Sequence, residues 1–336
     1  MKVRAAIAGA GLMGFWHAKN IARAGGEVVF VHDVDPDAAA RLASRCKNAR
    51  SSNRLEDVLE RDKIDILHVC TPVKSHFELA SVALSRGIHV LIEKPMTARC
   101  AETERLCELA AEHRVLLCPV HQFPFQRGVR RAFKQFGRLG QLRHFEVTLC
   151  SAGGAGRDRE DLDEIVAEIL PHPLSLMQLF VPGSLREQDW NVSHPAAGEF
   201  RATLTARDIC FSILISMNSR PTSSALHLLG STGTIHVDLF HGFCVIEPET
   251  VSRWRKIVHP FDLSLRTIIA AGLNIGRRAW AWEPAYPGLR TLIRSFYTAV
   301  AASSKSPIES SDAIEIAVVR DLLTEKSRAV SSMIGS

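Results

Sequence analysis

The first residues able to do chemistry form a glycine loop. Gly9-Ala10-Gly11-Leu12-Met13-Gly14 fits G-x-G-x-x-G, directly after the apolar run Val3–Ala8 and directly before a helical pattern. In that setting one glycine makes a tight turn, one lets a pyrophosphate approach the backbone, and one lets helix pack on strand. The helix N-terminus then faces the phosphates. A second apolar run ends at Asp33, nineteen residues after Gly14, where a ribose-binding acid is expected. Asp35 is the better placed of the two acids to cap the following helix. A carboxylate at Asp33 disfavours a 2′-phosphate and no Arg follows immediately, so the expected cofactor is NAD, with NADP second.

Domains of this kind also hold FAD or S-adenosylmethionine, and the other strand ends discriminate, because ligands bind at the carboxyl edge of such a sheet. One run ends in Cys70-Thr71-Pro72 with His76 close behind; the next ends in Glu93-Lys94-Pro95; a further one ends near His121-Gln122. A lysine directly after the apolar stretch HVLIE is unusual, since lysine is rarely buried unpaired. Glu93 offers that lysine a pairing partner, which is its structural reading. His121 and Gln122 either line a substrate pocket or close the edge of the core. His76 fits the start of a helix near the cofactor, while His68, His89 and His227 lie in strands and read as structural.

These residues need a scaffold, and the hydrophobic pattern supplies one. Runs at 3–8, 28–31, 64–70, 89–92 and 115–120 alternate with helical patterns at 13–23, 36–46, 55–60, 77–85 and 100–113. That rhythm means βαβ units, a parallel sheet and right-handed crossovers: an α/β Rossmann domain, doubly wound, over residues 1–122. Strand-like runs then dominate at 142–149, 200–205, 209–217, 224–229, 234–238 and 243–246, with helices within 174–180 and 289–302. This predicts a C-terminal α/β domain over 123–310 with a large, open, mostly antiparallel sheet. Residues 311–336 carry a last amphipathic helix that can pack back on the first domain. Segment 250–288 has no clear period.

With 336 residues, 46% apolar and 23% charged, the chain has room for two ordinary domains and is neither disordered nor fibrous. Its net charge of +5 is small for this length and by itself indicates no dedicated nucleic-acid or membrane surface. Arg127, Arg130, Arg131, Lys134 and Arg138 share a helix face, but no aromatic residues interleave, so a solvated face is expected there. The eight cysteines have no zinc-like spacing and several sit in apolar runs, which suits a reduced, cytoplasmic protein without a metal site. The N-terminus reads as no signal peptide, and no apolar run approaches the ~20 residues of a bilayer span.

The combination resembles the Gfo/Idh/MocA oxidoreductases. GAGLMG is similar to that family's cofactor loop, CTPVKSHFELASVALSRGIHVLIEKP to its TP-x-x-x-H … EKP signature, and GSTGTIHVDL to its G-x-x-G-T-x-x-V segment. The resemblance implies that the Lys94–Pro95 peptide is cis, that Lys94 stands beside nicotinamide and substrate, and that the cofactor contacts fall on Gly9, Gly11, Leu12, Met13, Gly14, Asp33, Thr71, Pro72, His76, Glu93 and Lys94. The family's Asp-x-x-x-His signature corresponds to Glu168-Ile169-Leu170-Pro171-His172, so His172 is kept, Glu168 replaces Asp, and Ser175 stands where a later Asp is usual. The family's frequent Arg-Phe after strand five is replaced by His121-Gln122-Phe123. Homodimers or homotetramers through the C-terminal sheet are implied, and an open sheet with an apolar face would need such a cover.

The implied chemistry is hydride transfer between nicotinamide and a ring C–OH or C=O of a polyhydroxylated molecule: a sugar, nucleotide-sugar, amino sugar or cyclitol. Prolines at 171 and 173 forbid a helix running straight through, so a helix is expected to start at His172 or Pro173. An imidazole at a helix N-terminus stays neutral and can accept a proton. Glu168, in the turn before it, would orient or charge-balance it, and Lys94 would stabilise developing alkoxide charge or itself act as base. The alternatives are reduction of a C=N or C=O bond in a biosynthetic intermediate, and a catalytically silent NAD-binding regulator.

Overall fold

The computed structural model describes residues 2–61, 64–151, 153–154, 156–249 and 253–334. The chain divides into two compact units, Met1–His121 with Leu289–Val318, and Gln122–Gly288 with Val319–Ser336.

In the first unit, β1 (Arg4–Ala8), β2 (Glu27–His32), β3 (Arg50–Ser52), β4 (Ile66–Val69), β5 (His89–Ile92) and β6 (Leu117–Pro119) form one sheet in the order β3-β2-β1-β4-β5-β6. Every pairing is parallel. Helices α1 (Leu12–Arg23), α2 (Pro36–Ala43), α3 (Leu55–Arg61), α4 (His76–Ser85) and α5 (Cys100–Glu112) make the crossovers. The order reverses between β1 and β4, which opens a ligand crevice at their carboxyl ends. β1 and β4 are buried along almost their whole length, as apolar runs covered on both faces must be. β3 carries only Arg50-Ser51-Ser52 at the sheet edge, and so short and polar a strand gives no apolar run to read.

The second unit holds α6 (Arg127–Lys134), β7 (Leu142–Cys150), α7 (Arg159–Ile169), α8 (Pro171–Phe180), β8 (Asn191–Ser193), β9 (Glu199–Ala206), β10 (Ile209–Ser216), β11 (Ser223–Gly230), β12 (Gly233–Asp238), β13 (Phe243–Pro248) and α9 (Arg253–Trp280). Its seven strands run in the order β13-β12-β11-β7-β10-β9-β8, antiparallel except for the β7–β10 pair. One face buries Phe145, Val147, Phe211 and Ile213. The other face is not the apolar surface expected: in register across five strands it presents Thr203, Ser212, Glu146, His227 and His236. Strict alternation sends the apolar residues inward and leaves polar ones outside.

Residues 289–310, grouped by sequence with the second domain, cluster with the first unit. The cause is α10 (Leu289–Ala301), whose Leu289, Leu292, Ile293 and Phe296 are fully buried. Each such side chain contributes about 1.5–3 kcal/mol. The last helix, α11 (Ser310–Ile334), places Ala313 in the first unit's core and packs Ile314 against it. Among the described residues, no helix is long and apolar enough to cross a membrane.

Candidate active site

The glycine loop closes on itself by backbone contact. Gly9 has φ +98, and a Cβ there would lie 2.6 Å from the Cys70 carbonyl; a Cβ on Gly14 would lie 2.0 Å from the Gly9 carbonyl oxygen. These two positions tie β1, α1 and the segment after β4 so tightly that no side chain fits. Gly11 caps α1 without a side chain, and a Cβ there meets nothing within 4 Å. Open space over the first turn of a helix suits a bound phosphate. Leu12 is 65% exposed at the head of α1 and Met13 is half-buried.

Asp33 follows β2 and is held against the loop. Its Oδ2 accepts from the Ala10 N–H at 2.6 Å and its Oδ1 from the Asp35 N–H at 2.9 Å. Each carboxylate oxygen keeps a second lone pair for an outside donor. Asp35 does cap α2, accepting from the Asp37 N–H at 2.9 Å.

Buried His76 joins two strand ends. Its Nε2 lies 2.8 Å from the Thr71 carbonyl and its Nδ1 3.0 Å from the Pro95 carbonyl. It is the first residue of α4, one position earlier than the sequence pattern placed that helix. Thr71 Oγ1 also accepts from Ser75 Oγ, while Pro72 is exposed. The Lys94–Pro95 peptide is cis. Glu93 is buried, and its Oε2 accepts from the Lys94 N–H at 3.1 Å. The carboxyl ends of β1, β2, β4 and β5 are thus fastened to one another around the glycine loop. Lys94 itself is half-buried at the end of this assembly.

Behind Glu93 lies a chain that sequence reading missed. Glu93 Oε1 is 3.0 Å from His17 Nε2, His17 Nδ1 is 2.8 Å from His68 Nδ1, and His68 Nε2 is 2.8 Å from the Tyr297 hydroxyl. His17, His68 and Tyr297 are all buried. Burial, reinforced by His17, holds the His68 imidazole well below its ordinary pKa; burial, reinforced by the Asp65 charge, holds Tyr297 well above its own. His17 was findable, because it is three residues past Gly14 on the face of α1 turned to the sheet. Tyr297 was not, since nothing local connects it to residue 68.

The cysteines near these elements are poor nucleophiles. Burial first, then the Glu93 charge, pushes the Cys70 thiol up, and burial pushes Cys118 up to about 12. His121 is buried after β6. Among the described residues, no group of three or more His, Cys, Asp or Glu is arranged to hold a metal ion.

The remaining candidates belong to the second unit. Helix α8 starts at Pro171, earlier than expected, because proline is tolerated in a first turn and Pro171 and Pro173 both fall there. His172 therefore lies within the first turn. Its ring stacks on Phe123 with centroids 4.2 Å apart and planes 11° from parallel. Ser175 Oγ donates to the His172 carbonyl at 2.8 Å. Glu168 is half-buried in the last turn of α7, not in a turn or loop. Gln122 is buried, and its carbonyl accepts from the Phe125 N–H at 3.0 Å. Lys94 and the cofactor-loop residues are thus gathered in the first unit, and His172, Glu168 and Gln122 in the second.

Residues 3–121 match the family described as "Oxidoreductase family, NAD-binding Rossmann fold", Gfo/Idh/MocA. Over 217 residues, 59% of the chain, it is 28% identical to 61% of dTDP-3,4-didehydro-2,6-dideoxy-alpha-D-glucose 3-reductase from Streptomyces violaceoruber. The chain spans only 33%, 61% and 36% of the first three curated relatives it matches. Among solved structures, UDP-N-acetylglucosamine 3-dehydrogenase from Acidithiobacillus ferrooxidans superposes with TM-score 0.78 at 19% identity, over 98% of this chain and 99% of that one. Levoglucosan dehydrogenase, solved with NADH and levoglucosan, gives TM-score 0.80 at 16% identity over 98% of both chains. At such identities these two establish the fold. Residues 3–121, the Rossmann part of the chain, thus match the NAD-binding domain of the Gfo/Idh/MocA oxidoreductases.

Proposed function

We propose that this protein is an NAD-dependent oxidoreductase of a sugar, nucleotide-sugar or related polyhydroxylated ring, interconverting a ring C–OH and C=O. The observation that carries the reading is the fastening of four strand ends around an open glycine loop, with Lys94 following β5 and Asp33 following β2 and bonded to the loop. A bound nicotinamide dinucleotide would supply the hydride chemistry. Gly9, Gly11, Leu12, Met13 and Gly14 would hold its pyrophosphate, Asp33 its ribose hydroxyls, and Thr71, Pro72, His76 and Glu93 would shape the rest of the site. Asp33 also favours NAD over NADP, since its carboxylate opposes a 2′-phosphate.

Lys94 donates to the reacting oxygen and stabilises charge developing there. His172, stacked on Phe123, accepts the hydroxyl proton during oxidation and returns it during reduction. Glu168, one turn earlier, sets the local charge, and His121 and Gln122 contact the substrate. Relatives named for a nucleotide-sugar 3-reductase and a nucleotide-sugar 3-dehydrogenase support the substrate class and are compatible with either direction. The test is NADH absorbance with a panel of nucleotide sugars, free sugars and cyclitols. Substrate-dependent change supports the reading; NADH binding with no turnover across the panel, and a protein partner recovered by pull-down, would replace it with a regulator.

A further inference from the structure

Helix α9 wears its apolar stripe on the outside. Ile257, Phe261, Leu265, Ile268 and Ile275 recur at helical spacing on one face and are 64, 77, 57, 68 and 64% exposed. The opposite face is fastened to the second unit by polar contacts. His259 Nε2 lies 2.5 Å from Glu247 Oε2, Asn274 Nδ2 donates to the His241 carbonyl, and Arg278 donates to the carbonyls of His241, Glu283 and Pro284. A surface helix ordinarily turns such a stripe toward the core. Here the anchors fix it facing outward.

The rest of the helix says what the stripe meets. Its 28 residues include six Arg and Lys and a single Asp, a net charge of +5, equal to that of the whole chain. Trp254 and Trp280 fall at its two ends and Trp282 just beyond, three of the five tryptophans in the sequence. Trp280 is 90% exposed and Trp282 73%. An outward apolar stripe, a basic helix and tryptophans at the ends are what a headgroup–acyl boundary accommodates. A second copy fits less well, because pairing the stripes would bring two helices of charge +5 together.

We propose that α9 lies flat on an anionic phospholipid surface and holds the protein there as a peripheral membrane protein. This goes beyond the oxidoreductase reading and does not depend on it. It also departs from what net charge alone suggested, because the whole chain's modest excess is concentrated in one helix.

The test is co-sedimentation of the full-length protein with vesicles of phosphatidylcholine, alone or with about one-third phosphatidylglycerol. Binding is expected on the anionic vesicles, weaker on the neutral ones, falling as salt rises from about 50 to 500 mM, with a blue shift of tryptophan emission. The double variant Phe261→Ser/Ile268→Ser should lose about tenfold or more in binding, with melting temperature and NADH affinity unchanged. Arg277→Gln should lose about fivefold. Absence of binding to anionic vesicles overturns the proposal, as does equal, salt-independent binding to both. A solution dimer that the double variant converts to monomer, with no vesicle binding, assigns the stripe to a second copy instead.

Discussion

The Nδ1 atoms of His17 and His68 face each other at 2.8 Å inside the first unit. Two identical ring nitrogens cannot both donate, so one carries the proton and the other accepts it. One arrangement satisfies the whole chain with both rings neutral. Tyr297 O–H donates to His68 Nε2, His68 Nδ1–H donates to His17 Nδ1, and His17 Nε2–H donates to Glu93 Oε1. Every donor then points toward the Glu93 carboxylate, whose other oxygen holds the Lys94 N–H. The neutral His68 this requires agrees with the downward shift that burial imposes on it.

Tyr297→Phe deletes the first donor of this chain and leaves a buried ring nitrogen unmatched. The expected cost is about 1–3 kcal/mol of unfolding free energy, read from urea denaturation. A stability equal to the parent's would contradict the directed chain.

The same chain predicts a pH dependence. The His68 pKa is lowered on folding, so below about pH 6.5 the unfolded chain gains a proton there that the folded chain does not. The stabilising contribution is complete above that pH and is lost as pH falls, at up to about 1.4 kcal/mol per unit. His68→Leu should flatten the stability profile between about pH 6.5 and 5. Profiles of equal slope for variant and parent would refute the assignment.

Gly11→Ala separates fold from binding. The added methyl meets no protein atom within 4 Å, so the melting temperature should fall only slightly, through the poorer N-cap that alanine makes. NADH affinity should fall by about tenfold, ~1.4 kcal/mol, because in the proposed site a phosphate would approach the backbone through that space. Gly14→Ala, aimed at the Gly9 carbonyl, should instead lower both. Unchanged NADH affinity in Gly11→Ala would move the cofactor away from the loop.

Asp33→Ser removes the carboxylate proposed to oppose a 2′-phosphate. The NADPH-to-NADH affinity ratio should rise by about tenfold or more, given roughly 1–4 kcal/mol for two nearby charges. Fluorescence titration with both nucleotides measures it, and a constant ratio would take Asp33 out of cofactor selection.

How much of this was legible in sequence depends on range. The first sheet could be read because βαβ units announce themselves locally: apolar runs, a glycine loop, and strand ends at Asp33, Thr71 and Lys94. The Glu93–His17–His68–Tyr297 chain was hidden because its members are far apart in the sequence and single histidines in strands carry no pattern. Tyr297 came with α10, whose place in the first unit depends on packing of Leu292 and Phe296 that no local signal encodes. His172 was identified through a motif; its stacking on Phe123 needed coordinates. Helix α9 escaped because a stripe facing solvent, interrupted by Pro260, does not look like a helix that packs.

The most direct test of the central claim pairs turnover with binding in Lys94→Ala. With a substrate identified from the panel, the variant should lose about a hundredfold or more in kcat while binding NADH as tightly as the parent. Undiminished kcat in Lys94→Ala would contradict the account, because the ammonium proposed to stabilise the reacting oxygen would then have no part in the reaction.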